Sequence, residues 1–125
     1  MKKCLLGLLY VCVCFLLGVG LITPQYVTAD PPQNLTLTYN LQTQTLTVTI
    51  THPSTFTGFH YINQVKINKN NVLVEKNDYK SQTGKKSFVY TYNIPAAPND
   101  ILEVTANCNI QGSKTATLKV VKDEN

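Results

Sequence analysis

Two short segments carry the residues of this chain that could do metal chemistry. The first is His52-Pro53 followed by His60-Tyr61-Ile62, and the second is Cys108-Asn109-Ile110-Gln111-Gly112. Together they hold both histidines of the sequence and its one cysteine beyond the N-terminal apolar run. Imidazole nitrogen and thiolate sulfur are the donors that hold zinc, copper and iron, and a glutamine carbonyl can add a weak further one. His52, His60, Cys108 and Gln111 are therefore the candidate ligands, with Cys108 the group on which redox chemistry would turn. Taken singly they would be ordinary residues: a lone inward cysteine is usually a small buried hydrophobe, and single histidines at strand ends usually make plain hydrogen bonds. What matters is whether the elements that carry them bring them together.

Which residues count depends on export. Lys2 and Lys3 precede an apolar run from Cys4 to Ile22, and Val27-Thr28-Ala29 has the small-residue spacing read by a signal peptidase, so cleavage before Asp30 is expected. Cys4, Cys12 and Cys14 would leave with that leader. Cys12 and Cys14 each follow Val, not the small residue that precedes a lipid-modified cysteine. The run of residues 4–22 is also long enough, at about 1.5 Å per residue, to cross a bilayer core of roughly 30 Å. An uncleaved N-terminal anchor helix is thus the second reading of residues 1–29. Either reading places residues 30–125 outside the cytoplasm, as a secreted, periplasmic or cell-surface domain, with any membrane contact made only through residues 4–22.

Residues 30–125 suit one small domain with one core. Of the eleven basic residues, Lys2 and Lys3 belong to the leader; the remaining nine are all lysine, and set against seven acids they leave a net charge of +2. No basic run exceeds Lys85-Lys86, so nucleic-acid binding, which calls for clustered Arg and Lys, has no support. Cys108 alone cannot close an internal disulfide, whatever the compartment. Asn34-Leu35-Thr36 matches a glycosylation sequon, a short pattern that recurs by chance. The sequence shows no Ser-His-Asp arrangement, phosphate loop or dinucleotide fingerprint, and Asp100 and Glu103 are too isolated to form a carboxylate pair. The tyrosines 39, 61, 79, 90 and 92 suit packing and rim positions of a β protein.

The elements that must position the candidate ligands are strands. Leu35, Leu37 and Tyr39 alternate with Thr36 and Thr38, and Leu46, Val48 and Ile50 with Thr45, Thr47 and Thr49. That is the period-two pattern of half-buried strands rich in β-formers. Further strands are predicted at 60–68, 72–76, 87–93, 101–109 and 115–121, separated by the turn-like stretches 69–71, 82–84, 95–100 and 111–113, with 30–33 as a linker. About seven short strands predict an all-β, immunoglobulin-like Greek-key sandwich. Counting by two from Leu46 reaches His52, and from Leu102 reaches Cys108, so both face the core at a strand end. Pro53 stops the second strand and Gly112 helps turn the chain after the sixth. In that topology the loops after these two strands emerge at the same end. His60, placed at the start of the third strand, and Gln111, in the last turn, belong to that end too.

At this point the residues resemble a family. His52 to Lys66, with its HP start and HYI continuation, and Asp100 to Gly112, reading DILEVTANCNIQG, are similar to the two iron-binding stretches of the desulfoferrodoxin ferrous-iron domain, the superoxide reductase family. The resemblance covers most of Thr45 to Val120. It implies a non-haem Fe2+ site in which His52 and His60 are equatorial ligands, Cys108 is the axial thiolate and the open position meets superoxide, with an external donor re-reducing the metal. The chain departs from the family pattern in four ways: Gln111 stands where the family has a histidine, the 52–60 loop is long, the upstream Glu-Lys-His loop with its lysine has no counterpart, and the small four-cysteine iron domain is missing. Three of five family ligands remain.

Two imidazoles, a thiolate and a weak glutamine also fit copper, and the first three with water fit zinc. Gln111 could coordinate through its carbonyl oxygen or orient a ligand. Two functional classes follow: a mononuclear redox metalloprotein similar to superoxide reductase, or a non-enzymatic exported sandwich with a decayed site that serves as a binding or cell-surface module. A sulfur-carrier partner with an HP-containing loop is a third.

Overall fold

A computed structural model describes residues 30–122; the expected leader, residues 1–29, lies outside the described residues. Seven strands follow one another: β1 Asn34–Asn40, β2 Thr45–Thr51, β3 Ile62–Lys69, β4 Val72–Asp78, β5 Ser87–Asn93, β6 Ile101–Cys108 and β7 Ser113–Lys119. There is no helix among the described residues. The strands form two sheets, ordered β1-β2-β5 and β4-β3-β6-β7, and every neighbouring pair is antiparallel. The domain is an all-β sandwich.

The alternation read from the sequence fixes which faces meet. Leu46, Val48 and Ile50 of β2 have no solvent exposure, nor have Val65 and Ile67 of β3 or Leu102, Val104 and Ala106 of β6. Each of the Leu, Ile and Val side chains among them stabilises the fold by about 1.5–3 kcal/mol relative to staying in water. The intervening threonines face outward and pair across strands, Thr36 with Thr49 and Thr38 with Thr47, where their branched side chains favour the pleated surface. The β3–β4 hairpin turns on Asn70 and Asn71, both at positive φ, the conformation that a two-residue turn of this hand requires and that asparagine tolerates.

Two expectations shift. His60 does not open β3, which begins at Ile62. Instead the Phe59 and His60 amides both donate to the Phe56 carbonyl at 2.9 Å, folding residues 56–60 into a turn ahead of the strand. The early part of β3 also carries a bulge: Ile62 pairs with Cys108, but Gln64 pairs with Asn107. The extra residue, Asn63, resets the phase so that Ile62 and Val65 both face the core, although three positions apart they could not do so in a regular strand. Residues 30–33 are not a free linker either. Pro32 is buried, and the Gln33 amide donates to the Thr51 carbonyl at 2.8 Å.

Candidate metal centre

His52 lies just past the end of β2, and both its ring and its backbone are held. Its amide donates to the Lys86 carbonyl at 2.9 Å, continuing the β2–β5 pairing by one residue, and its side chain is fully buried. Cys108 ends β6 with 9% exposure, and its amide donates to the Gly112 carbonyl at 2.9 Å, closing the turn. His60 reaches the same place from the 56–60 turn, where Ser54 Oγ donates to its carbonyl oxygen. Asn109 joins the two loops: its amide and side-chain Nδ2 donate to the Tyr61 and Phe59 carbonyls, and its Oδ1 accepts from the Tyr61 amide.

Strand parity and loop placement are thus realised in space. One ligand atom from each of His52, His60 and Cys108 lies within 4.8 Å of the others, and the two imidazoles meet edge to face with centroids 4.5 Å apart. Donors about 2.0–2.3 Å from one ion sit roughly 3.3–3.8 Å apart in a tetrahedron, so about 1 Å of side-chain closure would seat an ion. Gln111, the fourth candidate, is exposed in the turn after β6, and no hydrogen bond ties it to the other three.

A residue the sequence reading placed in a plain turn proves central. Gln82 is buried at 3% exposure, and its Nε2 donates to the carbonyls of His52 and Gly84 at 2.8 and 2.7 Å. With both its hydrogens so used, its Oε1 accepts from the Ile62 amide at 3.3 Å and lies 2.7 Å from His52 Nδ1. Because Oε1 is an acceptor, Nδ1 must carry a hydrogen, and His52 presents Nε2 to the cluster. Fixing one ring nitrogen as a donor so that the other can ligate is the usual support of a metal-bound histidine. Only Gln82's position between Ser81 and Thr83 was visible in the sequence, and no periodicity marks a contact made 30 residues away.

The residues fit a metal ion on two further observations. His60 Nε2 is buried without a hydrogen-bond partner, although buried polar atoms in native proteins are nearly always paired. Burial, then the neighbouring His52 ring, hold the His60 pKa below the ordinary histidine value, while the backbone and charge of Asp30 act the other way; the favoured neutral ring is the form that ligates. At Cys108, the Ile110 amide donates to Sγ at 3.5 Å, a contact suited to a sulfur that carries ligand charge. The arrangement offers two imidazole nitrogens and one sulfur, a donor set for zinc, copper or iron.

No family model matches the chain, and no curated protein matches it significantly. Among solved structures, a superoxide reductase (neelaredoxin) from Ignicoccus hospitalis aligns with a TM-score of 0.48 and 11% identity, over 78% of this chain and 86% of that one. A likeness of that size bears on neither the metal nor the reaction.

Proposed function

We propose that this chain is a mononuclear metal-binding protein that holds one ion between His52, His60 and Cys108, with non-haem iron and one-electron chemistry on superoxide as the reading its motifs favour. The observation that carries it is the convergence of the three donor atoms within 4.8 Å, joined by the unpartnered His60 Nε2. His52 and His60 would hold the ion as neutral nitrogens, and Cys108 as an anionic sulfur that donates electron density. When bound, iron would supply the electron that superoxide takes up, and an external donor would return it.

In this reading the sandwich belongs to the immunoglobulin-like Greek-key class and works outside the cytoplasm, exported by residues 1–29. Gln111 is assigned a supporting role at the rim, since its exposure leaves it free to turn toward an ion or a bound water. That same exposure favours the second reading, an exported module whose site has decayed.

Anaerobic addition of Fe2+ followed by oxidation separates the two. The metalloprotein reading expects about one equivalent of iron bound and a thiolate-to-iron absorption band that Cys108→Ser abolishes, with faster superoxide consumption by the parent than by the variant. No uptake of iron, copper or zinc, and unchanged stability on altering Cys108 and His52, would leave the binding-module reading.

A further inference from the structure

We infer that the backbone carbonyl oxygen of Asp30 is a further donor to the ion held by His52, His60 and Cys108, so that the strap ahead of β1 is part of the metal centre. This rests on the metal-binding reading above and adds a ligand that is not a side chain.

The geometry at His52 carries the inference. With Gln82 Oε1 accepting at Nδ1, Nε2 presents a lone pair, and 3.1 Å away it meets the Asp30 carbonyl oxygen. That atom too has only lone pairs to offer. Two acceptors at this distance repel unless a positive centre lies between them. A metal ion held by the three residues supplies such a centre. Adjacent donors on one ion, each about 2.1 Å from it, stand roughly 3.0–3.4 Å apart, so the observed spacing matches a shared ion once the side chains close and the oxygen moves off the Nε2 axis.

The strap is fixed where such a role needs it. Pro31 lies against Gly112, where a Cβ would run into the proline ring; Gly112 also has a φ of 81°, so glycine is required there on two counts. Buried Pro32 and the Gln33-to-Thr51 bond hold the other side. Pro31 confines Asp30 to extended conformations, and the peptide between them has no N–H to compete for the oxygen's partner. One turn thus carries Cys108 at its start and packs the strap that carries the carbonyl.

Asp30-Pro31 is the one Asp-Pro pair in the sequence. In the full chain in detergent, 13C in aspartate carbonyls and 15N in proline therefore give a single coupled signal, and 15N in the histidine rings reports the imidazoles. On titration with Zn2+ the proposal expects the Asp30 carbonyl signal to move downfield to a new position in step with His52 and His60. The same should occur in Asp30→Asn carrying labelled asparagine, which keeps the carbonyl and removes the carboxylate. Imidazole shifts with an unmoved carbonyl would overturn the proposal and leave the three-residue site standing. A carbonyl shift lost in Asp30→Asn would overturn it in favour of the carboxylate. No change at either the rings or the carbonyl would overturn both the proposal and the metal-binding reading.

Discussion

The two ends of the sandwich use the same kinds of residue and finish differently. At the end formed by the 41–44, 70–71 and 94–100 connections, no buried polar side-chain atom of the described residues lacks a partner. Gln44 donates to the carbonyls of Leu41 and Ala96 and accepts from the Ala96 amide. Asp100 accepts from the Ala97 amide and from Asn70 Nδ2, and Asn70 Oδ1 accepts from the Ile101 amide. The Tyr39 hydroxyl donates to the Ile94 carbonyl at 2.7 Å. At the other end Gln82, Ser54 and Asn109 do similar stitching, yet His60 Nε2 is left unpartnered and His52 Nε2 faces a carbonyl. Closing a loop needs only satisfied hydrogen bonds. A ring nitrogen held in place beside a second imidazole and a thiol, yet left without a partner, indicates that something is meant to bind there.

Breaking this contrast should have graded effects. Cys108→Ser should cause the largest, removing the only anionic donor of the three and weakening metal binding by more than the roughly 10–100-fold that loss of a supporting residue costs; titration of both proteins with Zn2+ against a chromophoric chelator measures it. His60→Ala should weaken binding similarly while leaving the metal-free protein about as stable as the parent, because it removes a buried atom that has no partner to lose. Denaturant unfolding of the metal-free proteins checks this, and a loss of several kcal/mol would show that His60 is structural.

Gln82→Leu comes next, with two effects from one change. Releasing the His52 ring should cost about 10–100-fold in affinity, and stranding the buried carbonyl of His52 and the Ile62 amide should cost about 1–3 kcal/mol in stability. The smallest effect belongs to the closed end. Hydrogen bonds from the Ala97 amide, and then from Asn70, hold the Asp100 pKa below the ordinary aspartate value. Its contribution is therefore present above the unfolded aspartate pKa and lost as pH falls through the folded one. Asp100→Asn should flatten that acid limb in thermal melts and leave Zn2+ affinity unchanged; altered affinity would mean that the two ends are coupled.

Much of this was legible in the residues, for reasons that also mark where reading stops. The β2 and β6 alternations carry His52 and Cys108 to the core face, because a period of two leaves no choice once Leu46 and Leu102 are inside. Pro53 and Gly112 place both at one end. The bulge at Asn63 was not legible: a single inserted residue has no sequence marker here, and it decides how the 56–60 turn feeds into β3. Gln82 escaped notice because its four hydrogen bonds come from a loop whose composition says only that it turns. Asp30 escaped because its contribution is a backbone atom, which every residue has. Gln111 was named for its place in a motif, and its exposure shows that a matching position in sequence does not by itself bring a side chain to the site.

X-ray absorption of the full chain loaded with one equivalent of Zn2+ tests the central claim most directly. Three converging residues predict one sulfur neighbour at about 2.3 Å and two imidazole nitrogens at about 2.0–2.1 Å, with the sulfur shell missing in Cys108→Ser. Zinc bound through nitrogen and oxygen alone, with the same spectrum in the variant, would contradict it.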